Sequence, residues 1–540
     1  MSTSSWLSET SIPKYEPLEQ NISVDICIVG GGLAGLMTAY QLQKEGRDVC
    51  ILERNELGSG QSGRSTAHFA YALNDTWLNI EKNHGLKVAK LVAKSHLAAI
   101  KETLEIIREE HIDCDFETVN GYYFLSKEHI LNIEKENNEQ LKRQKMFDIL
   151  NLELDAILRL DLSEVYLTEQ IPIHSFDSGP AICYPDQLQL NPVKLIIGLA
   201  KCITKRKGKI YTNSQVVEIH GGKNAFVKLE NELRVNCESI VVATNSPFND
   251  LLAIHTKQAA YRSYIIALEI PYGDIPKGLY WEKNSPYHYA SLEKSNTSQT
   301  EILLVGGEDH KTGQEKNPEA CYVKLEKWAR EKFPSTKRVL YKWSGQILEP
   351  IDGLAFIGQN PMDEKNVFVI TGLSGNGMTY STIAGSLLTD LIIGRENPLI
   401  DIFSPSRISV STAGQFIKEN FKTILQYKDW FIENQSDHLI ELAKDEGLVY
   451  RSGFQIIAAY KDPQGNLILN SAICPHLGGI VRWNNGEKSW DCPCHGSRFD
   501  CLGKIIEGPT VSNLTPINIP ALHPPKAISI WDNNEAKTLV

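Results

Sequence analysis

Two short boxes near the C-terminus, Cys474-Pro475-His476 and Cys492-Pro493-Cys494-His495, constrain this chain more than any other feature. Fifteen residues separate them, so the fold must bring two loops together until four side chains converge. Two thiolates and two neutral imidazoles suit a [2Fe–2S] cluster with Cys474 and Cys492 on one iron and His476 and His495 on the other. Zinc is the rival, because sets of two Cys and two His also bind it on a tetrahedron. Zinc fingers usually keep their histidines together as a pair, whereas each box here mixes Cys with His.

The surrounding run, CPHLGG and then CPCHGSRFD followed by Gly508-Pro509, resembles a Rieske domain. The resemblance implies a small all-β domain carrying the cluster on two loops. It also shows a departure, since high-potential members carry a cysteine five residues after the first ligand, bridged to the one inside the second box. Gly479 stands there, which leaves Cys494 without that partner. Ser497 is present to donate to a cluster sulfur, but the tyrosine usual two positions later is Phe499. Fewer donors leave the reduced state less stabilised, so the implied potential lies below that of respiratory-chain centres.

At the other end, the β-branched run Val24 to Val29 reads as a buried parallel strand. Gly30-Gly31-Gly32-Leu33-Ala34-Gly35 follows at once and opens a helix, giving G-x-G-x-x-G in a strand–turn–helix setting. Gly30 allows the tight turn, Gly32 lets a pyrophosphate approach, and Gly35 lets helix and strand pack closely. A second strand, Asp48 to Leu52, ends at Glu53, placed to bind a ribose hydroxyl pair. Arg54 and the small-residue stretch around Ser62 follow, suited to lying against an extended cofactor.

Further motifs choose FAD over NAD. The strand Ile240 to Ala243 ends in Thr244; Val216 lies in a strand like those beside adenine; and Asp352-Gly353 precedes a strand at Val367 to Thr371. Gly375, Gly377, Met378 and Thr379 then form a glycine-rich turn opening another helix. From about residue 22 to 395 this order resembles the D-amino-acid oxidase family of FAD enzymes, nearest its amine- and sarcosine-oxidising branch. The resemblance implies a Rossmann-like α/β FAD-binding domain of the two-dinucleotide type over 21–397. An α+β substrate region is inserted around 75–180 and 250–345. A connector (398–436) and the all-β Rieske domain (437–532) complete the chain.

Catalytic candidates are His310, within Glu308-Asp309-His310-Lys311 at a strand-end turn, and Trp343 and Gln346, where the family brings residues to the flavin ring. Arg262 is a candidate for a substrate carboxylate. His68 is similar to the histidine linked covalently to flavin in some relatives, displaced by one residue. The stretch from Leu86 to Glu110 reads as an amphipathic helix packed on the sheet.

Composition sets the remaining bounds. A formal net charge of −11 argues against nucleic acid or anionic membrane as the main partner. Eleven cysteines without framework spacing, and no signal peptide or run of ~20 apolar residues, predict a soluble cytoplasmic protein. No two-histidine, one-carboxylate iron triad is visible, which removes the ring-hydroxylating oxygenase reading. The expected activity is oxidation of a small amine or amino acid by FAD, with electrons leaving through the cluster to an external acceptor protein. Reversed flow from a donor protein, and a redox sensor without turnover, are the alternatives.

Overall fold

A computed structural model describes residues 3–517 apart from 126–137, 250–253, 284–286, 295–296, 409–411, 413, 415–418, 422, 424 and 432–437. Ile26–Val29, Val49–Leu52, Lys209–Tyr211, Ser239–Val242 and Val367–Thr371 form a parallel sheet, with Phe356–Gln359 antiparallel at its edge. Ile28 sits between Ile51 and Val241, and the first two strands are buried throughout. This explains why they read as unbroken apolar runs. The helix Leu33–Lys44 crosses Gly377–Ile393 so tightly that a Cβ on Gly385 would lie 3.0 Å from the Met37 carbonyl.

The two inserted stretches join one nine-stranded sheet, where Glu117–Leu125 pairs in parallel with Leu279–Lys283. Along Gln258–Pro271, alternation sends Tyr264, Ile266 and Leu268 toward the helix Glu319–Lys332 and Ile265 and Ala267 to the opposite face. The predicted amphipathic helix spans Leu86–Glu109 and buries Ala89, Val92, Ala93, Ile100 and Ile107. Thr103 on it meets Thr382 of Gly377–Ile393 at 2.8 Å.

Beyond the short helix Ile400–Phe403, parts of the connector lie outside the described residues, and a 3₁₀ turn, Gln426–Phe431, stands near its end. The C-terminal domain holds a three-stranded sheet (Glu446–Ser452, Gln455–Lys461, Leu467–Ser471) and a four-stranded one (Arg482–Asn484, Ser489–Asp491, Arg498–Asp500, Ile505–Glu507). Ile456, Val481, Trp490 and Phe499 fill its core. Residues 518–532 of the predicted domain lie outside the described residues.

Candidate cofactor cavity and cluster site

The two predicted ligand boxes fold as near-identical loops. The Cys474 N–H donates to the Gly479 carbonyl and the Gly478 N–H returns to the Cys474 carbonyl; Cys492, Ser497 and Gly496 repeat this pattern. Gly478 and Gly496 sit at φ +74° and +83°, a conformation glycine adopts without strain. The loops bring Cys474 and Cys492 together, with the Ser497 hydroxyl bonded to the Cys474 sulfur. The rings of His476 and His495 stand 5.0 Å apart, centre to centre. Both ring nitrogens of His476 are buried without a hydrogen-bond partner, as nitrogens meant for a metal would be. Thiols paired with thiols and imidazoles with imidazoles fit a cluster of two irons. Among the described residues, no group of three or more His, Cys, Asp or Glu is arranged around a single ion.

All eleven cysteines are free thiols. A Cβ on Gly479 would lie 2.6 Å from the Cys494 sulfur, so the glycine occupies the place where a bridging partner would stand. Phe499 is fully buried in the domain core. From the connector, Tyr427 donates to the Leu477 carbonyl and Trp430 to that of Gly478, covering the first loop.

A cavity of about 670 Å³, within the usual range of cofactor pockets, opens at the glycine turn. Gly30, Gly32, Glu53, Arg54 and Ser62 line it on one side, Val216 and Thr244 on another, and Gly375, Gly377 and Met378 at its far end. Each glycine has a separate reason. A Cβ on Gly30, at φ +117°, would lie 2.5 Å from the Ala243 carbonyl, and one on Gly35 would lie 2.1 Å from that of Gly30. One on Gly32 would point at the Ser62 hydroxyl, 3.0 Å away, into the space a pyrophosphate needs. Ser62 accepts from the Leu33 N–H and the Glu53 carboxylate from that of Gly31.

Several predicted site residues lie off the cavity lining. Asp352 is held bidentately by Arg407, a connector residue that no local motif pairs with it. The Thr379 hydroxyl, one residue past Met378 and so on another side of the helix, donates to the Ala70 carbonyl. Trp343 is a core residue whose indole N–H donates to the Arg64 carbonyl. His310 bonds Tyr264 and the Lys311 carbonyl, away from the cavity lining. The expected turn at 308–311 is a bulged continuation of the strand Thr300–Lys311, with Glu308 at φ +55° and two residues opposite Ser263, and the bulge disperses its side chains. Glu308 pairs with His288 and Lys324, and Asp309 turns the other way to bond Ser263.

Gln346 does line the cavity, beside Gly345, Ser263 and Tyr289. Its amide nitrogen is buried and unpartnered, and Gly496 of the second ligand loop packs against it. Behind Ser263 and Ser374 stand two carboxyls, Asp309 and Glu349. Asp309 is exposed by surface area although protein surrounds it closely, and it is not itself part of the cavity lining. Burial pushes it up to about 7, although the Ser263 bond pulls the other way. Burial likewise raises Glu349, against the bonds from Ser374 and Asn74. A carboxyl shifted as far as Asp309 can exchange a proton near neutral pH.

Sequence reasoning missed two features. The first is His255, whose ring packs edge-on against His476 (5.2 Å) and His495 (5.6 Å). The second is the far wall of the cavity, made by Lys504 to Glu507, Gly508, Thr510 and Val511 of the C-terminal domain. Arg262 turns away from any substrate: fully buried, it ion-pairs with Glu507 and Glu487 across the domain boundary. No local pattern announces contacts between partners more than two hundred residues apart.

Comparison with known proteins agrees with this architecture. Residues 25–391 match the family of FAD dependent oxidoreductases, and residues 433–520 match the Rieske [2Fe-2S] domain. The Rieske 2Fe-2S iron-sulfur protein YhfW of Bacillus subtilis is 29% identical over 95% of this chain and 97% of its own length. Gamma-glutamylputrescine oxidoreductase of Escherichia coli is 26% identical over 73% of this chain and 89% of that protein. The crystal structure of glycine oxidase from Geobacillus kaustophilus superposes with a TM-score of 0.56 at 17% identity, covering 72% of this chain and 99% of that one. Among the described residues no helix is long and apolar enough to cross a membrane. The chain belongs to the FAD dependent oxidoreductase family, an enzyme of that class joined to a Rieske [2Fe-2S] domain, and its cofactors are FAD and the cluster.

Proposed function

We propose that this chain oxidises a small amine or amino acid as a dehydrogenase and hands the electrons to its own cluster. The observation that carries the reading is the orientation of the two histidine ligands. They face His255 of the flavoprotein part, while Gly496 of the second ligand loop rests on Gln346 at the cavity wall. Held in the cavity, FAD supplies two-electron chemistry at a C–H bond next to nitrogen, and the cluster supplies a one-electron outlet.

The residues assign themselves by position. The glycine turn, Ser62, Glu53 and Arg54 hold the dinucleotide, and Gly375 to Met378 hold its flavin end. Asp309, behind Ser263, takes the proton that a substrate ammonium must lose before its nitrogen lone pair can assist oxidation. Electrons then leave for an external one-electron carrier, and cysteines without disulfides accord with a cytoplasmic setting.

An anaerobic screen of amines and amino acids for bleaching of the flavin absorbance identifies the substrate. With that substrate, Cys492→Ser is expected to keep flavin reduction and lose transfer to a one-electron acceptor protein. Wild-type turnover of the acceptor by this variant would show that electrons leave the flavin directly.

A further inference from the structure

We propose that the C-terminal domain is part of the FAD site: residues 500–511 close the cavity over the nucleotide half of the cofactor. FAD retention and docking of the cluster domain then form one linked equilibrium. This inference rests on the cavity being the FAD site. Two hydrogen bonds join the walls where the ribose end is expected. The Arg54 guanidinium donates to the Ile506 carbonyl, and the Gln215 amide donates to that of Val511 at 2.8 Å. Glu507, Thr510 and Val511 line the same space as Gly32 and Glu53.

Beneath that wall lies a buried lock with equal numbers of each charge. Arg64 and Arg262 come from the flavoprotein part, and Arg498 with the carboxylates Glu487, Asp491 and Glu507 comes from the cluster domain. Arg262 reaches Glu507 at 3.1 Å and Glu487 at 3.8 Å; Arg498 reaches Asp491 and Glu507, each at 2.8 Å; Arg64 reaches Glu487 at 4.0 Å. Tyr322 of the flavoprotein part also donates to Glu487. Ions this deeply buried hold their position only while every partner is present. Arg64 and Glu507 both border the cavity, so the lock and the cofactor share a surface.

A ligand touching both domains binds the docked arrangement alone, and linkage then requires it to strengthen docking by the factor that docking strengthens its binding. Hydrogen exchange on the full-length protein, with FAD removed and then restored, tests this. Amides of Ile506, Glu507 and Val511 are expected to lose protection by about tenfold without FAD and regain it on reconstitution, while those of Ile26–Val29 respond less. Flavin fluorescence should show FAD leaving Glu507→Gln about tenfold faster than wild type, and Gln215→Ala a few-fold faster, with the cluster's EPR signal intact. Bound FAD with no change at 506–511, and unaltered release from Gln215→Ala, would overturn the inference alone. A folded chain taking up no FAD would overturn the assignment of the cavity as well.

Discussion

The two walls of the cofactor cavity are built on opposite principles. The N-terminal wall is backbone and small side chains: Gly30, Gly32 and Gly35 are there because a Cβ would strike a carbonyl or fill the space for phosphate. The C-terminal wall is held by long charged side chains whose partners lie more than two hundred residues away. The first wall is local and rigid and can form as soon as one strand, one turn and one helix exist. The second exists only where the two domains meet. A cofactor gripped by both gains positioning from the first and retention from the second.

The sharpest way to break this comparison is at the glycine turn. Gly32→Val places a side chain in the phosphate space, and loss of FAD with two irons and two sulfides per chain retained is the expected outcome. Flavin and iron analysis of the purified variant decides it, and FAD at wild-type content would move the dinucleotide site elsewhere. Next in size is Arg498→Met, which strands Asp491 as a buried charge, leaves Glu507 with Arg262 alone, and should cost about 3–5 kcal/mol in chemical denaturation. A loss below about 1 kcal/mol would mean that the lock is wetter than its burial suggests. Glu53→Ala should weaken FAD binding by roughly 1–3 kcal/mol, the cost of losing charge-assisted hydrogen bonds. Fluorescence titration of the apoprotein measures that difference.

Two carboxyls make the same contrast through pH. Burial alone would raise Glu507, but Arg262, Arg498 and Arg64 bring it down to about 2. Its contribution is complete above the ordinary carboxyl value of about 4.3 and disappears as pH falls toward about 2, so acid should undock the cluster domain within that window. Near-UV circular dichroism and FAD release, followed together, would reveal the opening. Asp309 is shifted the other way, from 3.8 to about 7, so ionising it destabilises the fold progressively as pH rises through that interval. Asp309→Asn should therefore raise the melting temperature at pH 8 and leave it unchanged below pH 4. An equal shift at both pH values would assign the effect to packing.

The histidine ligands give the last and smallest test. His476→Ala should abolish the mixed Cys/His EPR signal and leave flavin bound. His255→Ala should keep the signal and shift its g-values, because His255 packs on both rings. An unchanged spectrum would reduce His255 to a filler of space.

The sequence by itself determined the parts whose chemistry is local. A strand–glycine turn–helix unit and two loops with glycine at the same offset from their ligand cysteine are legible because each depends on residues a few positions apart. The same locality explains why Gly377 and Met378 lie on the cavity lining while Asp352 does not: its carboxylate is claimed by Arg407, from outside the local motif. Tertiary structure decided the rest. A β-bulge near the end of Thr300–Lys311 scattered a charged run that looked like one catalytic group, turning Asp309 alone toward Ser263 of the cavity wall. Packing of two domains took Arg262 from substrate binding into an ion lock and set His255 against the cluster histidines. Hydrophobic and glycine patterns are fixed by steric needs of the local backbone, whereas a charge finds its partner only in space, and that partner is named by no spacing along the chain.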